Sequence, residues 1–370
     1  MIAHILALAL AATQPAGAPA DPVAPPAGWT EPPMRTQGRI AERDGTRLHQ
    51  WPGIRAEAVI AGESAMLALP GSPARYRVTI DSGGAESRVQ MVERREPGTL
   101  DLHLDGPGPH RVVIESLGET LGVPGALPRL LVPDAEAIRP PPAAPPRRIE
   151  VIGDSDSTGH GILHVGRDCD GPTTERSSDS TAAWPSLLAR KLDAELRLHA
   201  ASGIGLIRNY GGAEPGRVMP ALYRRTLWPP LPDAASAGPG DPWQPQLIVV
   251  AIGSNDFDSP LQPDERWDSP RAVARDFAPA LADFLAVLRE HSPSAGILLA
   301  VWPEYGRPYM RAQREALSER LAAGDTAIAL VSLPRMEKTA CGWHPSLADH
   351  AAIAAAIEAS LAAAERSPFD

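Results

Sequence analysis

The chain has 370 residues, a formal net charge of −10 and 43% hydrophobic residues, with a pI near 5.5. That length holds two domains, and the apolar content supports packed cores. The acidic balance reads as solubility and argues against a nucleic-acid partner, since the sequence contains no basic stripe.

Residues 1–20 carry an apolar run from Ile5 to Ala12, followed by the small-residue triplets Ala16-Gly17-Ala18 and Ala18-Pro19-Ala20. The pattern resembles a signal peptide and places the mature protein in a secreted or periplasmic compartment. The n-region has His4 and no Lys or Arg, so a frayed apolar N-terminus is the alternative. No other stretch approaches the roughly 20 apolar residues of a membrane span, and no membrane is expected as a partner of the mature form.

Residues 21–37 read as a Pro/Ala-rich linker. From 38 to 135 the pattern is short strands broken by Gly, Pro and Asp turns: 76–80, 88–92, 100–104 and 110–114. Such spacing predicts an antiparallel β-sandwich. Residues 136–148 contain the stiff run PPPAAPP and form a second linker. Beyond it, from 149 to 370, strand patterns at 149–152, 196–200, 247–252, 296–301 and 327–331 alternate with helical patterns. The helices fall at 181–195, 270–290, 311–323 and 347–366. Ser180 is a candidate N-cap for the first of them. The alternation predicts a three-layer α/β/α domain with a parallel sheet, whose ligands gather at the carboxyl ends of the strands.

Three polar turns lie at those ends. Gly153-Asp154-Ser155 follows the first strand, Ala201-Ser202-Gly203 the second, and Gly253-Ser254-Asn255-Asp256 the third. His344-Pro345 precedes the last helix. Ester cleavage needs a nucleophile, a base and donors for the oxyanion. Ser155 and His344 fit the first two roles. The backbone N–H groups of Ser155 and Gly203 and the Asn255 amide fit the third. Each also has a plain reading as a turn residue; their order and placement favour catalysis. Ser157 stands where a nucleophile elbow of the G-x-S-x-G type has glycine. Asp154 is expected to organise the turn or contact substrate, and Asp156 to face solvent. Trp302, at a strand end, and Trp343, beside His344, are candidate sugar platforms, with ordinary packing the alternative. The two cysteines, Cys169 and Cys341, lie in loops beside the suspected site. They either pair, stapling the His344 loop to the nucleophile loop, or are unrelated thiols. Neither has C-x-x-C spacing, so no metal or other cofactor is expected.

In order, these blocks resemble those of the SGNH (GDSL) hydrolase superfamily. Thr174-Glu175, Ala201–Leu206, Arg208-Asn209-Tyr210, Met219-Pro220, Tyr223, Cys341–Pro345, Trp51-Pro52-Gly53 and the segment 76–82 resemble carbohydrate esterase family 2. That resemblance implies a jelly-roll-like β-domain before an SGNH domain, and removal of acetyl groups from polysaccharides such as xylan and glucomannan. It implies Ser155 as nucleophile, His344 as base, and Gly203 and Asn255 as oxyanion donors. Many superfamily members place an aspartate shortly before the histidine, where this chain has Cys341 and Gly342. Some relatives in the family work as a Ser–His dyad, with a main-chain carbonyl holding the imidazole. Asp156 and Ser157 also depart from the pattern, which has an apolar residue and threonine. The alternatives are an esterase of broader acyl specificity and a carbohydrate-binding protein with a dead hydrolase domain.

Overall fold

The computed structural model describes residues 24–81, 87–229 and 241–369. The segment read as a signal peptide therefore lies outside the described residues, as does the start of the first linker.

The N-terminal part is built from antiparallel sheets. The largest runs, in spatial order, Arg35–Gln37, Arg55–Ile60, His110–Ser116, Arg75–Ile80 and Arg88–Glu93. A second joins Arg129–Leu131, Ser64–Pro70 and Pro97–His103, and a third Gly125–Ala126, Thr46–His49 and Ala41–Arg43. Alternate residues such as Ala56, Ala58, Ile60, Tyr76, Val78, Val112 and Ile114 meet Leu67, Leu69, Leu102 and Leu130 in one core. This is the period-two packing of a sandwich. Arg35–Gln37 pairs with 55–57, so a strand lies within the segment read as linker. Its polar composition hid it.

The second part holds a five-stranded parallel sheet in the order Ala194–Ala201, Arg147–Asp154, Leu247–Ala251, Gly296–Val301, Ile328–Ser332. Its strands are near-continuous apolar runs because helices cover both faces. Ile152, Val250 and Leu299 pack under helices Pro270–His291 and Gly306–Ala322. Val151, Val249 and Leu298 pack under Trp184–Lys191 and Leu347–Ala362. The chain changes direction across the sheet on either side of the Arg147–Asp154 strand, and a crevice opens at such a point.

The two parts are stitched by buried polar contacts. Trp51 Nε1 donates to the Arg225 carbonyl at 2.7 Å, and the Trp228 N–H donates to Gln50 Oε1 at 2.6 Å. The Arg39 guanidinium donates to the Tyr223 carbonyl. Ser180 belongs to this seam. Its hydroxyl donates to the Ser116 carbonyl at 3.2 Å, and the helix it was expected to cap starts later, with Ala183 at the N-cap.

Candidate active site

Strand register gathers the site. Asp154 lies opposite Ala201 on one side, and Gly153 opposite Ala251 on the other. The chain therefore emerges from three adjacent strands at Ser155, at Ser202-Gly203 and at Ile252–Asn255. Ser155 opens the helical turn Ser155–Thr158 rather than a loose loop, with Asp154 as N-cap accepting from the Asp156 N–H. A first-turn N–H has no acceptor within its own helix, so the Ser155 amide is available to a ligand. Asp154 is fully buried and also accepts from the Ser254 hydroxyl at 2.6 Å. It fastens the first and third turns together and has no surface left for substrate, which corrects the substrate-contact reading.

Gly203 sits at φ +77°, and a side chain there would point into open space. The glycine is needed for the left-handed backbone, which leaves the peptide uncovered. Gly205 is required for a different reason: a Cβ would lie 1.9 Å from the Arg208 carbonyl oxygen. The Asn255 side-chain amide donates to the Ile204 carbonyl at 2.9 Å. An amide nitrogen carries two N–H groups, so the second is left beside the same loop. The Asp256 carboxylate accepts from the N–H groups of Leu206, Ile207 and Arg208 at 2.8–2.9 Å, clamping the loop to the third turn. From the N-terminal part, Glu119 accepts the Ser202 N–H at 2.8 Å. Burial pushes that carboxyl up to about 7.

His344 follows the single turn Cys341–Trp343. Its Nδ1 lies 2.8 Å from the Cys341 carbonyl oxygen. A carbonyl only accepts, so Nδ1 carries the proton and Nε2 keeps the lone pair that a base requires. The main chain thus orients the imidazole where the sequence has no acid. Cys341 is bonded to Cys169 as a disulfide. Arg167 braces the same loop by donating to the carbonyls of Glu337 and Lys338 and accepting from the Gly342 N–H. The His344 ring lies 4.3 Å from the ring of His160, whose Nδ1 is 3.1 Å from the Ser202 hydroxyl. The C-terminal histidine is therefore delivered to the sheet end that carries Ser155 and Gly203. Burial and the neighbouring His344 push His160 down to about 3, so it is neutral at ordinary pH.

Asp156 is 2% exposed, contrary to the expectation that it faces solvent. Lys338 Nζ sits 2.8 Å from its carboxylate, and the Tyr305 hydroxyl donates to it. Burial works against its charge, but Lys338, His344 and Tyr305 outweigh burial and hold it below the usual carboxylate range. Burial and the Asp156 charge push Asp154 the other way, toward its protonated form. Lys338 comes from the loop that leads to His344, so this pair ties the Ser155 turn to the histidine loop.

The two tryptophans part company. Trp343 is 63% exposed beside His344, with the Arg167 guanidinium 3.7 Å from the ring centroid. Trp302 is fully buried against the helix-covered face of the sheet, so it is core and not a sugar platform. Sequence reasoning missed His160, Glu119, Tyr305 and Lys338. Only His160 had a local signal, lying five residues after Ser155 between two glycines. His164, Cys169 and Cys341 bring three ligand-type atoms within 4.8 Å of one another, but the disulfide removes both sulfurs from ligation.

Residues 151–352 match the GDSL-like lipase/acylhydrolase family, more than half of the chain. A curated relative from Cellvibrio japonicus, named acetylxylan esterase / glucomannan deacetylase, is 27% identical over 86% of this chain and 87% of its own. A solved carbohydrate esterase, described as having an active site with divergent catalytic and non-catalytic binding functions, superposes with a TM-score of 0.82. It is 23% identical and covers 92% of this chain and 100% of that one. A family two carbohydrate esterase from Cellvibrio japonicus gives a TM-score of 0.74 at 25% identity, covering 90% and 95%.

Proposed function

The chain belongs to the GDSL-like lipase/acylhydrolase family, and we propose that it is an exported esterase removing acetyl groups from carbohydrate. His344 Nε2 takes the Ser155 proton as the hydroxyl oxygen attacks the acetyl carbonyl. The developing oxyanion receives the N–H groups of Ser155 and Gly203 and the free N–H of the Asn255 amide. The protonated imidazole then hands its proton to the departing sugar oxygen. Water, deprotonated by the same nitrogen, releases acetate from the acyl-enzyme.

The observation that carries this reading is the bond between His344 Nδ1 and the Cys341 carbonyl. It selects the tautomer that a base needs and does so without an acidic partner. A wrong tautomer in a serine triad costs about 10⁴-fold; a carbonyl acceptor avoids that loss and gives up only charge stabilisation of the imidazolium. The resemblance to acetylxylan esterases supports acetyl as the acyl group and a polysaccharide as its carrier. Trp343 offers a sugar ring an aromatic face beside the base. The disulfide suits an oxidising compartment, in keeping with the apolar N-terminus.

The test is acetate release from acetylated xylan and glucomannan, wild type beside Ser155→Ala and His344→Ala. Activity that vanishes in the first and falls severely in the second supports the mechanism. Full turnover by Ser155→Ala overturns it, and faster hydrolysis of octanoyl than acetyl esters overturns the acyl assignment.

A further inference from the structure

We infer that a second, electropositive groove beside the acetyl site binds acidic glycan, taking the carboxylates of uronate side groups on the substrate chain. The inference deepens the esterase reading and rests on it for what the groove is used for. The groove encloses about 1270 Å³ between helices Pro270–His291 and Gly306–Ala322 and the loops at the carboxyl ends of the last two strands. Six arginines line it: Arg271, Arg275, Arg307, Arg311, Arg314 and Arg335. All six are exposed. They gather on a protein whose net charge is −10.

The arrangement works against folding. Arg271 and Arg275 are four residues apart on one helix, as are Arg307 and Arg311 on the other, and like charges at that spacing destabilise a helix. Arg271 and Arg307 also stand in first turns that hold no acidic residue, where the helix dipole disfavours cations. Arg275 meets Asp276 at 3.3 Å and Arg311 meets Glu315; a shared anion relieves what these pairs leave. The sequence hid the feature because its arginines come from three separated segments.

Charge density selects the ligand class. Glu315 and Glu319 also line the groove, and Arg311 is paired with Glu315 at 2.6 Å. Interspersed carboxylates repel a polymer charged at every step, such as a nucleic acid, and leave room for a chain with occasional carboxylates. Guanidinium forks match carboxylates in two-point geometry. Position selects the same ligand. Pro303 and Gly306 line the groove on either side of Tyr305, whose hydroxyl meets Asp156 next to Ser155. Tyr305 thus stands between the groove and the Ser155 turn.

The test uses xylan bearing glucuronate side groups and the same polymer after carboxyl reduction. Binding is measured by affinity electrophoresis with Ser155→Ala, so that turnover does not intervene. The charged polymer is expected to bind about tenfold more tightly, the combined yield of several exposed ion pairs, with the advantage lost in high salt. Adding R307Q, R311Q and R314Q together should erase it. In the active background the same triple change should leave hydrolysis of a small acetyl ester unchanged, which shows that the fold survives. Equal binding of the two polymers, no effect of the triple change, or equally tight binding of duplex DNA or anionic vesicles overturns the inference. Charge-dependent binding by a wild type that releases no acetate would overturn the esterase reading alone.

Discussion

Replacing Lys338 by methionine should destabilise the protein through a carboxylate 182 residues away in sequence. Asp156 is 2% exposed and Lys338 is its cationic partner at 2.8 Å. Removing one member of a buried pair typically costs about 3–5 kcal/mol. Here the lower end applies, because the Tyr305 hydroxyl still donates to the carboxylate and Asp156 can take up a proton. About 3 kcal/mol corresponds to a fall in Tm of roughly 6 °C or more in a domain of this size. The pH dependence distinguishes this cause from lost packing. In the wild type the Asp156 pKa is depressed, so its contribution is complete at neutral pH and lost only as pH falls through the depressed folded value. In Lys338→Met, burial acts without the cation and raises the pKa, so the deficit is largest at pH 8 and shrinks toward pH 4 as the carboxyl protonates. Asp156→Asn combined with Lys338→Met should recover about 2 kcal/mol, since the buried charge goes with its partner. Urea unfolding followed by tryptophan fluorescence at both pH values reads all three variants. A deficit that is the same at pH 4 and pH 8, or a double variant no more stable than the single, refutes the reasoning.

Asn255→Ala should reduce kcat about 10²–10³-fold with little change in KM, as loss of one oxyanion donor does, measured on an acetyl ester. Replacing both Cys169 and Cys341 by serine should cost about 2–5 kcal/mol of stability. It should also lower kcat more than KM, because the Cys341 carbonyl holds the imidazole; unfolding curves and steady-state kinetics check the two effects. Glu119 has a folded pKa pushed up to about 7, so its stabilising effect is present below the unfolded carboxyl value near pH 4.3 and is lost as pH rises through 7. Glu119→Gln should flatten the decline in stability between pH 5 and pH 8, read from denaturant midpoints at those two values.

What could be read from sequence was what is local. The strand Gly296–Val301 appears where its apolar run places it, and Pro270–His291 begins at its proline with Ser269 as cap. Boundaries failed where a local signal misled. The helix expected from residue 311 starts at Gly306, because a glycine and Pro308 look like a loop while serving as a first turn. The helix expected to run to 195 stops at Lys191, and the sheet claims Ala194 onward. The gathering of Ser155, Gly203 and Asn255 at one end of the sheet was legible because each follows a strand, and parallel strands bring their carboxyl ends together whatever their separation in sequence. Asp156 was misread because its partner Lys338 is chosen by the fold. Trp302 was misread because a residue at a strand end looks open until the helices that cover it are placed. Glu119 gave no signal at all, since its role depends on how the sandwich meets the sheet.

That meeting has a consequence for recombination. The turn bearing Gly203 leans on a carboxylate supplied by the sandwich, and Trp51 and Gln50 reach across to hold the backbone at Arg225 and Trp228. The halves are thus not interchangeable cassettes. A chimera that grafts this half onto a foreign β-module would keep Ser155 yet lose a support of the Gly203 turn, so shuffling of such chains should conserve the pairing of partners that matured together.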